Sequence, residues 1–501
     1  MKTMKMALLA GAAVAVSAAA AHADQLQDLK AQVEALNARV AAMETAPSVP
    51  TGYQLLAISK GEAAQVPGML GSDRDRVVSD SATVISVMPT ADAPAGTTIS
   101  WSGYVRAAIV YSGQDGDVTL KRAYTNAAKV TTNTKFKASD ATDDDWDVKA
   151  RGQLRVVATT DTAVGEVGVE VKMRADFSGN GNSDIYMKTA WGYWAMTPEL
   201  TLGGGYSGSL GNIGYGYDGA CTCYYTDNAD VGFDPGDTTQ LRLSYASGPF
   251  SMAVAIEDAS LYKDGKADGY NGNNLGAAGE IKYSGDSFSG EISGVYRSVN
   301  EDSYNRSGKT GKPGDAGLYD TGTPYAYNAD LEALWQIGAG VGFNLGDIAS
   351  LSLAAAMGSG PFQETNSNGD IDKTYPVNND WWGVSGLATA NLSDSVHAEA
   401  GAGYKHREGD AHDGATFTLG ADDSEMPWRY SGFDYDTWAI LGGVYYTPVD
   451  QLTIGVEGEW YTADTSFTRT GQVGTKAVGL KDRIDSTTDN WTVDLVSVGR
   501  F

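Results

Sequence analysis

From about residue 98 onward, hydrophobic and polar positions alternate with a period of two. Val167, Val169, Val171, Met173, Ala175 and Phe177 form an apolar row, while Glu166, Gly168, Glu170, Lys172, Arg174 and Asp176 fill the positions between them. The same split runs through Val148, Ala150, Gly152, Leu154 and Val156 against Lys149, Arg151, Gln153 and Arg155. It returns in Leu452, Ile454, Val456, Gly458 and Trp460 against Thr453, Gly455, Glu457, Glu459 and Tyr461. Successive side chains of a strand point to opposite faces, so each segment needs water on one side and oil on the other. Strands of a soluble sandwich run about five or six residues. These run to ten or more, the length with which a tilted strand crosses a bilayer.

About sixteen such segments follow one another, starting near residues 98, 145, 163, 184, 199, 239, 249, 275, 286, 325, 349, 378, 394, 433, 451 and 489. Short connections fall at 159–165, 197–200, 247–251, 284–289, 345–351, 392–396 and 447–452; most of the others are long and rich in Gly, Asp, Asn and Ser. Short turns on one side and long loops on the other predict an all-β fold, a transmembrane antiparallel barrel with its turns in the periplasm. An even strand count leaves both ends of the barrel on that same side. There a short α-helical segment is expected.

Residues 1–23 read as a secretory signal peptide. Lys2 and Lys5 precede an apolar stretch to Ala20, and Ala21-His22-Ala23 supplies the small residues of a cleavage site. Residues 24–46 then place Leu26, Leu29, Val33, Leu36, Val40 and Met43 at alternating three- and four-residue steps, an a/d seam with polar flanks. About three heptads are marginal for an isolated coiled coil, so either several copies are held together or the helix docks on its own domain. Pro47 and Pro50 stop it. Residues 47–97 are a linker of unassigned structure, and 98–501 form the barrel.

Composition narrows the function. The 501 residues include 62 Gly and 27 Tyr, and 63 acidic residues outnumber 36 basic ones for a net charge of −27. So acidic a chain is repelled by phosphate backbones, and no nucleic-acid partner is expected. A mean hydropathy of −0.27, with no apolar run of about 18 residues after the leader, excludes a helical membrane protein but not a barrel. The two cysteines, Cys221 and Cys223, are too few for a disulfide framework and too close in sequence for an ordinary bridge, which leaves a strained loop bridge or an adventitious metal pair with only two ligands.

Aromatic residues gather near strand ends: Trp101, Tyr104, Tyr111, Trp191, Tyr193, Trp194, Trp381, Trp382, Tyr445, Tyr446, Trp460 and Trp491. This placement fits the girdles at the two membrane–water interfaces. The chain ends on Phe501, behind Trp491, Val493 and Leu495 at alternate positions. Three stretches carry a family likeness: Ile99-Ser100-Trp101-Ser102-Gly103-Tyr104-Val105-Arg106; residues 150–155 leading through Thr160 to Gly168; and Ala190-Trp191-Gly192-Tyr193-Trp194 leading into Leu202-Gly203-Gly204-Gly205-Tyr206. In these motifs, their order and the heptad ahead of them, the chain resembles the alphaproteobacterial porin family of outer-membrane general-diffusion channels. The resemblance implies a sixteen-stranded homotrimer in the Gram-negative outer membrane, whose third long loop folds inward to narrow the pore. It further implies contact with outer-membrane lipid and lipopolysaccharide, and recognition of Phe501 by the barrel-assembly machinery. Peptidoglycan is a further candidate partner for the N-terminal helix. The length of the segment before residue 98 and the cysteine pair depart from the family pattern.

With charged faces turned to the lumen, Arg106, Lys149, Arg151, Arg155, Lys172, Arg174, Lys188 and Arg242 form a basic arc on one wall. The third loop, residues 207–238, carries Asp218, Asp227, Asp230, Asp234 and Asp237 and no Lys or Arg. A basic wall facing an acidic loop sets up a field across the narrowest water. The alternative is that each strand cation is solvated or paired with Glu166, Glu170 or Asp176. Asp140, Asp143, Asp144, Asp145, Asp147, Asp264, Asp268 and Asn271 do not follow an EF-hand spacing, and solvated loops are the simpler account. His397, His406 and His412 are scattered, and no catalytic order emerges. No enzyme activity, cofactor or resident metal is expected. The expected function is passive diffusion of ions and small hydrophilic solutes through a water-filled pore. The alternatives are a selective channel for small anions such as dicarboxylates, and a structural or adhesive surface barrel.

Overall fold

A computed structural model of the protein describes residues 56–67, 81–87, 96–125, 129–140, 144–178, 181–182, 184–258, 275–298, 333–365, 371–409, 416–417, 428–472 and 479–501. The expected signal peptide, the heptad segment and most of the linker lie outside the described residues. The chain divides into two compact units, residues 1–59 with 84–98, and residues 60–83 with 99–501. The described parts of the first are ends of the strands Leu56–Glu62, Ser81–Val87 and Thr97–Thr125.

The second unit holds an antiparallel barrel. Its strands are β1 (Thr97–Thr125), β2 (Asp145–Thr162), β3 (Gly165–Ser178), β4 (Tyr186–Ala195), β5 (Leu200–Gly208) and β6 (Asp237–Ser247). They continue as β7 (Phe250–Asp258), β8 (Leu275–Ser284), β9 (Phe288–Arg297), β10 (Leu334–Leu345) and β11 (Ala349–Thr365). The last are β12 (Ile371–Ser393), β13 (Val396–Gly409), β14 (Trp428–Val449), β15 (Leu452–Gln472) and β16 (Gly479–Arg500). Each pairs with the next, and β16 closes on β1 from Gly479 opposite Thr125 to Arg500 opposite Tyr104. Closure leaves no open edge among the described strands of the barrel wall, as a wall without water outside it demands. Beyond the closing ladder, Phe501 and Gly103 exchange backbone hydrogen bonds of 3.0 and 3.2 Å. Only glycine fits at 103, because a Cβ would lie 2.7 Å from the Phe501 ring.

Burial is inverted relative to a water-soluble domain. The apolar rows are exposed, among them Val169, Leu241, Val254, Ile256, Leu353 and Val456, while Glu170, Arg242, Glu257, Glu457 and Asp494 are buried. This is the pattern of a barrel with hydrocarbon outside and a polar interior.

The seven expected short turns all occur, between Thr162 and Gly165, Ala195 and Leu200, Ser247 and Phe250, Ser284 and Phe288, Leu345 and Ala349, Ser393 and Val396, and Val449 and Leu452. The far ends differ from expectation. Several strands run well past membrane thickness as paired hairpins, with β15 and β16 in continuous register from Leu452 opposite Gly499 to Gln472 opposite Gly479. Segments expected to begin at 378, 433 and 489 therefore begin at 371, 428 and 479, and the one expected at 325 is described from 334. The second loop is short, from Ser178 to Tyr186. Ladder hydrogen bonding continues where the apolar row has already ended, so hydrophobic alternation could not mark those limits.

Five of the aromatics expected in the girdles point inward. Tyr104, Trp191, Tyr193 and Tyr445 are buried, and Trp381 packs against the loop residue Phe233. They share the parity of the polar row of their strands, and parity fixes the face that proximity to a turn does not.

Candidate functional site

The site is built by the third long loop, which leaves β5 at Gly208 and enters β6 at Asp237. It carries a short helix, α1 (Gly216–Ala220), and runs along the inner wall. Side chains of the inward polar rows hold its backbone in sequence order. Glu257 of β7 accepts from the Ser209 hydroxyl at 2.8 Å and the Leu210 amide at 3.3 Å. Glu291 of β9 accepts the Gly214 amide at 2.9 Å. Ser352 of β11 and Ser385 of β12 take the amides of Gly216 and Tyr217 at 2.9 and 3.1 Å.

Farther round, Glu399 of β13 accepts the Thr222 amide at 3.0 Å. Glu457 of β15 accepts those of Tyr224 and Tyr225 at 3.0 and 2.6 Å. Glu459, two positions along, accepts those of Asn228 and Ala229 at 3.1 and 3.2 Å and the Tyr217 hydroxyl. The chain then turns back. Lys405 donates to the Gly232 carbonyl at 2.8 Å, Gln336 to that of Phe233 at 2.8 Å and Arg297 to that of Pro235 at 2.9 Å. A loop with buried backbone must find partners for its peptide groups, and these strands provide them by pointing acceptors inward.

Cys221 and Cys223 form a disulfide within this loop, with Cα atoms 5.3 Å apart. This is the loop bridge that their spacing left open beside a metal pair. The left-handed backbone at Cys223, φ +27°, brings the two side chains to one side. Both are buried beside Tyr217, Val231 and Leu387.

The basic side chains on β1 to β6 are placed as follows. The Arg106 guanidinium lies 4.4 Å from the Tyr225 ring centroid, and Asp227 adds an electrostatic attraction. Arg151 pairs with Asp176. Arg155 pairs with Glu170 at 2.6 Å, which Lys172 approaches at 3.6 Å. Arg174 donates twice to the Gln153 oxygen, at 3.0 and 2.7 Å. Lys188, at a bulge between β3 and β4, reaches Asp237 at 2.5 Å. Arg242 donates to Gln240 at 2.8 Å and to the Gly208 carbonyl at 2.9 Å, and lies 5.0 Å from the Trp191 ring. Lys149 interacts electrostatically with Asp494. The arc is therefore partly neutralised at Arg151, Arg155, Lys172 and Lys188.

The acids of the loop do not act as one group. Asp227 and Asp234 are exposed, and Asp234 accepts the Gly236 amide at 2.9 Å. Asp237 begins β6 rather than ending the loop. Asp218 lies in α1. Asp230 faces away from the expected arc, bound by Arg407 and by Lys405 at 3.2 Å, both on β13. Desolvation would raise its carboxyl, but Arg407 and then Lys405 outweigh that and hold it at about 2. Glu257, Glu291, Glu399, Glu457, Glu459, Lys405 and Arg407 were not among the candidates. Their signal was present as charges at inward parity on strands beyond β6.

A second feature touches the inner wall. Val66, ahead of the barrel in sequence, is buried with Val157 of β2 and with Trp191 and Tyr193 of β4, and Ala64 packs beside them. The Ala64 amide approaches the Ser100 hydroxyl of β1 at 3.4 Å. The Trp191 ring can lie there because position 203 on β5 is glycine, where a Cβ would come within 2.4 Å of it.

The remaining candidates are dispersed. Asp144 accepts the Tyr111 hydroxyl at 3.1 Å, Asp145 the Trp146 amide at 2.8 Å and Asp147 the Ser178 hydroxyl at 2.5 Å. Asp140 ends the strand Thr131–Asp140. Asp143, Asp264, Asp268, Asn271 and His412 lie outside the described residues. His397 stacks on Tyr445 at 4.8 Å, near Thr222.

A family model described as Porin subfamily matches residues 95–490. No curated protein matches the chain. Similar solved structures include in-vitro folded OmpT, an outer membrane protein of Vibrio cholerae, with 13% identity, a TM-score of 0.44 and coverage of 81% of this chain and 98% of that one. The outer membrane channel DcaP of Acinetobacter baumannii shows 15% identity, a TM-score of 0.40 and coverage of 81% and 97%. An anion-selective porin from Comamonas acidovorans shows 11%, 0.40, 81% and 100%.

Proposed function

The chain belongs to the porin family, and from that premise we propose how its barrel passes solutes. It is an outer-membrane channel for passive diffusion of ions and small hydrophilic solutes, and family and fold point to a channel rather than an enzyme. The loop between β5 and β6 narrows the lumen from the β7–β15 side, leaving the basic wall of β1 to β6 across from it. The observation that carries this reading is the series of inward acceptors, from Glu257 to Glu459, on the loop's own amides. The basic wall, with Asp227 and Asp234 on the loop across from it, gives the passage its transverse field, which orients dipolar solutes.

The test is single-channel recording in planar bilayers. A large ohmic conductance that does not saturate is expected; no conductance overturns the reading. A second reading rests on the excess of cations over acids on that wall. A channel selective for small anions such as dicarboxylates would show a smaller current that those anions block. The working unit in this proposal is a homotrimer in outer-membrane lipid and lipopolysaccharide. Its 24–46 helix lies in the periplasm with peptidoglycan as a candidate contact, and Phe501 is offered to the assembly machinery.

A further inference from the structure

The outer rim of the barrel carries a donor set unrelated to permeation. β13 and β14 pair so that His406 stands opposite Asp436 and Glu408 opposite Asp434, two successive rungs on one face. That face is the outer one, since the intervening Lys405 and Arg407 turn inward to Asp230. One rung nearer the membrane, the Tyr404 ring lies 5.2 Å from Trp382 and 4.3 Å from Trp438. Such amphipathic rings mark the headgroup level, so the cluster sits at or above it. The His406 Nδ1 atom is 2.8 Å from Asp436 and 3.9 Å from Asp434, and Nε2 is 3.9 Å from Glu408.

We propose that His406, Asp434 and Asp436 bind a divalent transition-metal ion of the Zn²⁺ class on the outer rim of the barrel. One donor atom from each of the three lies within 4.8 Å of the others. Bonds of about 2.0–2.1 Å at tetrahedral angles put neighbouring donors roughly 3.3 Å apart, between the 2.8 and 3.9 Å observed here. A set containing imidazole nitrogen suits Zn²⁺, whereas Ca²⁺ and Mg²⁺ prefer oxygen throughout. Two features make the site more than a group of surface acids. Its donors stand on two hydrogen-bonded strands, which hold their spacing, and the Tyr404 hydroxyl donates at 2.5 Å to the Asp436 oxygen that faces His406, holding that carboxylate in place. Nearby on the same rim, Lys121 and Arg483 both pair with Asp485. Glu408 faces the other ring nitrogen, Nε2, and stands outside the set of three.

The experiment is calorimetric titration of untagged, EDTA-stripped protein in detergent with ZnCl₂, accompanied by thermal unfolding with and without the ion. Binding of one Zn²⁺ per chain is expected. His406→Ala and Asp436→Asn are each expected to weaken it at least tenfold and to abolish the rise in unfolding temperature that Zn²⁺ gives the wild type. His397→Ala, which alters a ring inside the barrel, should leave both readings unchanged. His406→Gln keeps a polar side chain of similar size and serves if the alanine variant fails to fold. Absence of Zn²⁺ binding in the wild type overturns the assignment, and so does undiminished binding by the folded His406 variants. None of these readings depends on conductance.

Discussion

At the scale of single residues, the inner wall is a set of charge pairs whose partners decide what a substitution does. Arg155 and Glu170 are both buried and 2.6 Å apart. Removing Glu170 takes a shared carboxylate from both Arg155 and Lys172, at a cost of roughly 3–5 kcal/mol, whereas removing Arg155 leaves Glu170 with Lys172 at 3.6 Å and costs less. Glu170→Ala is therefore expected to lower the unfolding temperature in detergent, and Arg155→Ala to lower it by less. The Arg106 guanidinium lies over the Tyr225 ring with Asp227 attracting it through space, and Arg174 donates to Gln153. Reversing Arg106 to Glu is expected to move the zero-current potential in a salt gradient toward cation preference, more than Arg151→Glu does, because Arg151 is bonded to Asp176 while Arg106 meets Asp227 only through space. Equal shifts for the two would show that pairing does not set their weight. The alternation of polar and apolar positions makes the direction of these side chains legible in the sequence. Their partners are not legible there, because register and long-range contacts decide them. Asp230 shows the limit most clearly: the strand residues that hold it, Lys405 and Arg407, come some 175 positions later in the chain.

At the scale of elements, the strands and the inward loop answer to different rules. The short turns and the strand ends beside them followed from period two because one face must meet oil, while the far ends did not. The path of the loop between β5 and β6 did not, since its amides are satisfied by glutamates from strands far along the chain. A buried amide left without an acceptor costs about 1–3 kcal/mol. Glu457→Ala strips the Tyr224 and Tyr225 amides together, and Glu459→Ala those of Asn228 and Ala229. Each is expected to raise open-channel current noise, with the double variant flickering most; a quiet trace in the double variant would show that other contacts hold the loop. The Asp230 anchor adds a pH sign. Its carboxyl is lowered from 3.8 to about 2, so its stabilising contribution is complete above 3.8 and is lost as pH falls through about 2. Between pH 5 and 8 the wild type and Asp230→Asn are expected to differ in noise by a constant amount, and that difference should vanish only under strong acid.

At the scale of the whole molecule, the question is what the residues ahead of the barrel do for it. Two parts give different expectations. The stretch around Ala64 and Val66 covers an apolar patch of Val157, Trp191 and Tyr193 on the inner wall, so it occupies cross-section that would otherwise be water. Val66→Asp places a charge against that patch, and release of the segment is expected to raise single-channel conductance without changing the oligomer. The helix proposed for residues 24–46 is expected to act the other way, on assembly and not on current. About three heptads are too few to associate on their own. Barrels that already sit side by side in a membrane hold their helices at a high effective concentration, where even a weak coiled coil forms. Its contribution should therefore be largest when the barrels' own contacts are weakened by detergent. Deleting residues 24–46 is expected to leave conductance per channel unchanged while lowering the temperature at which the oligomer dissociates on native gels. Grafting an unrelated trimeric coiled coil in its place should restore that temperature. An oligomer equally heat-stable without the segment would separate the helix from assembly, and would point to a periplasmic partner as the reason for its seam.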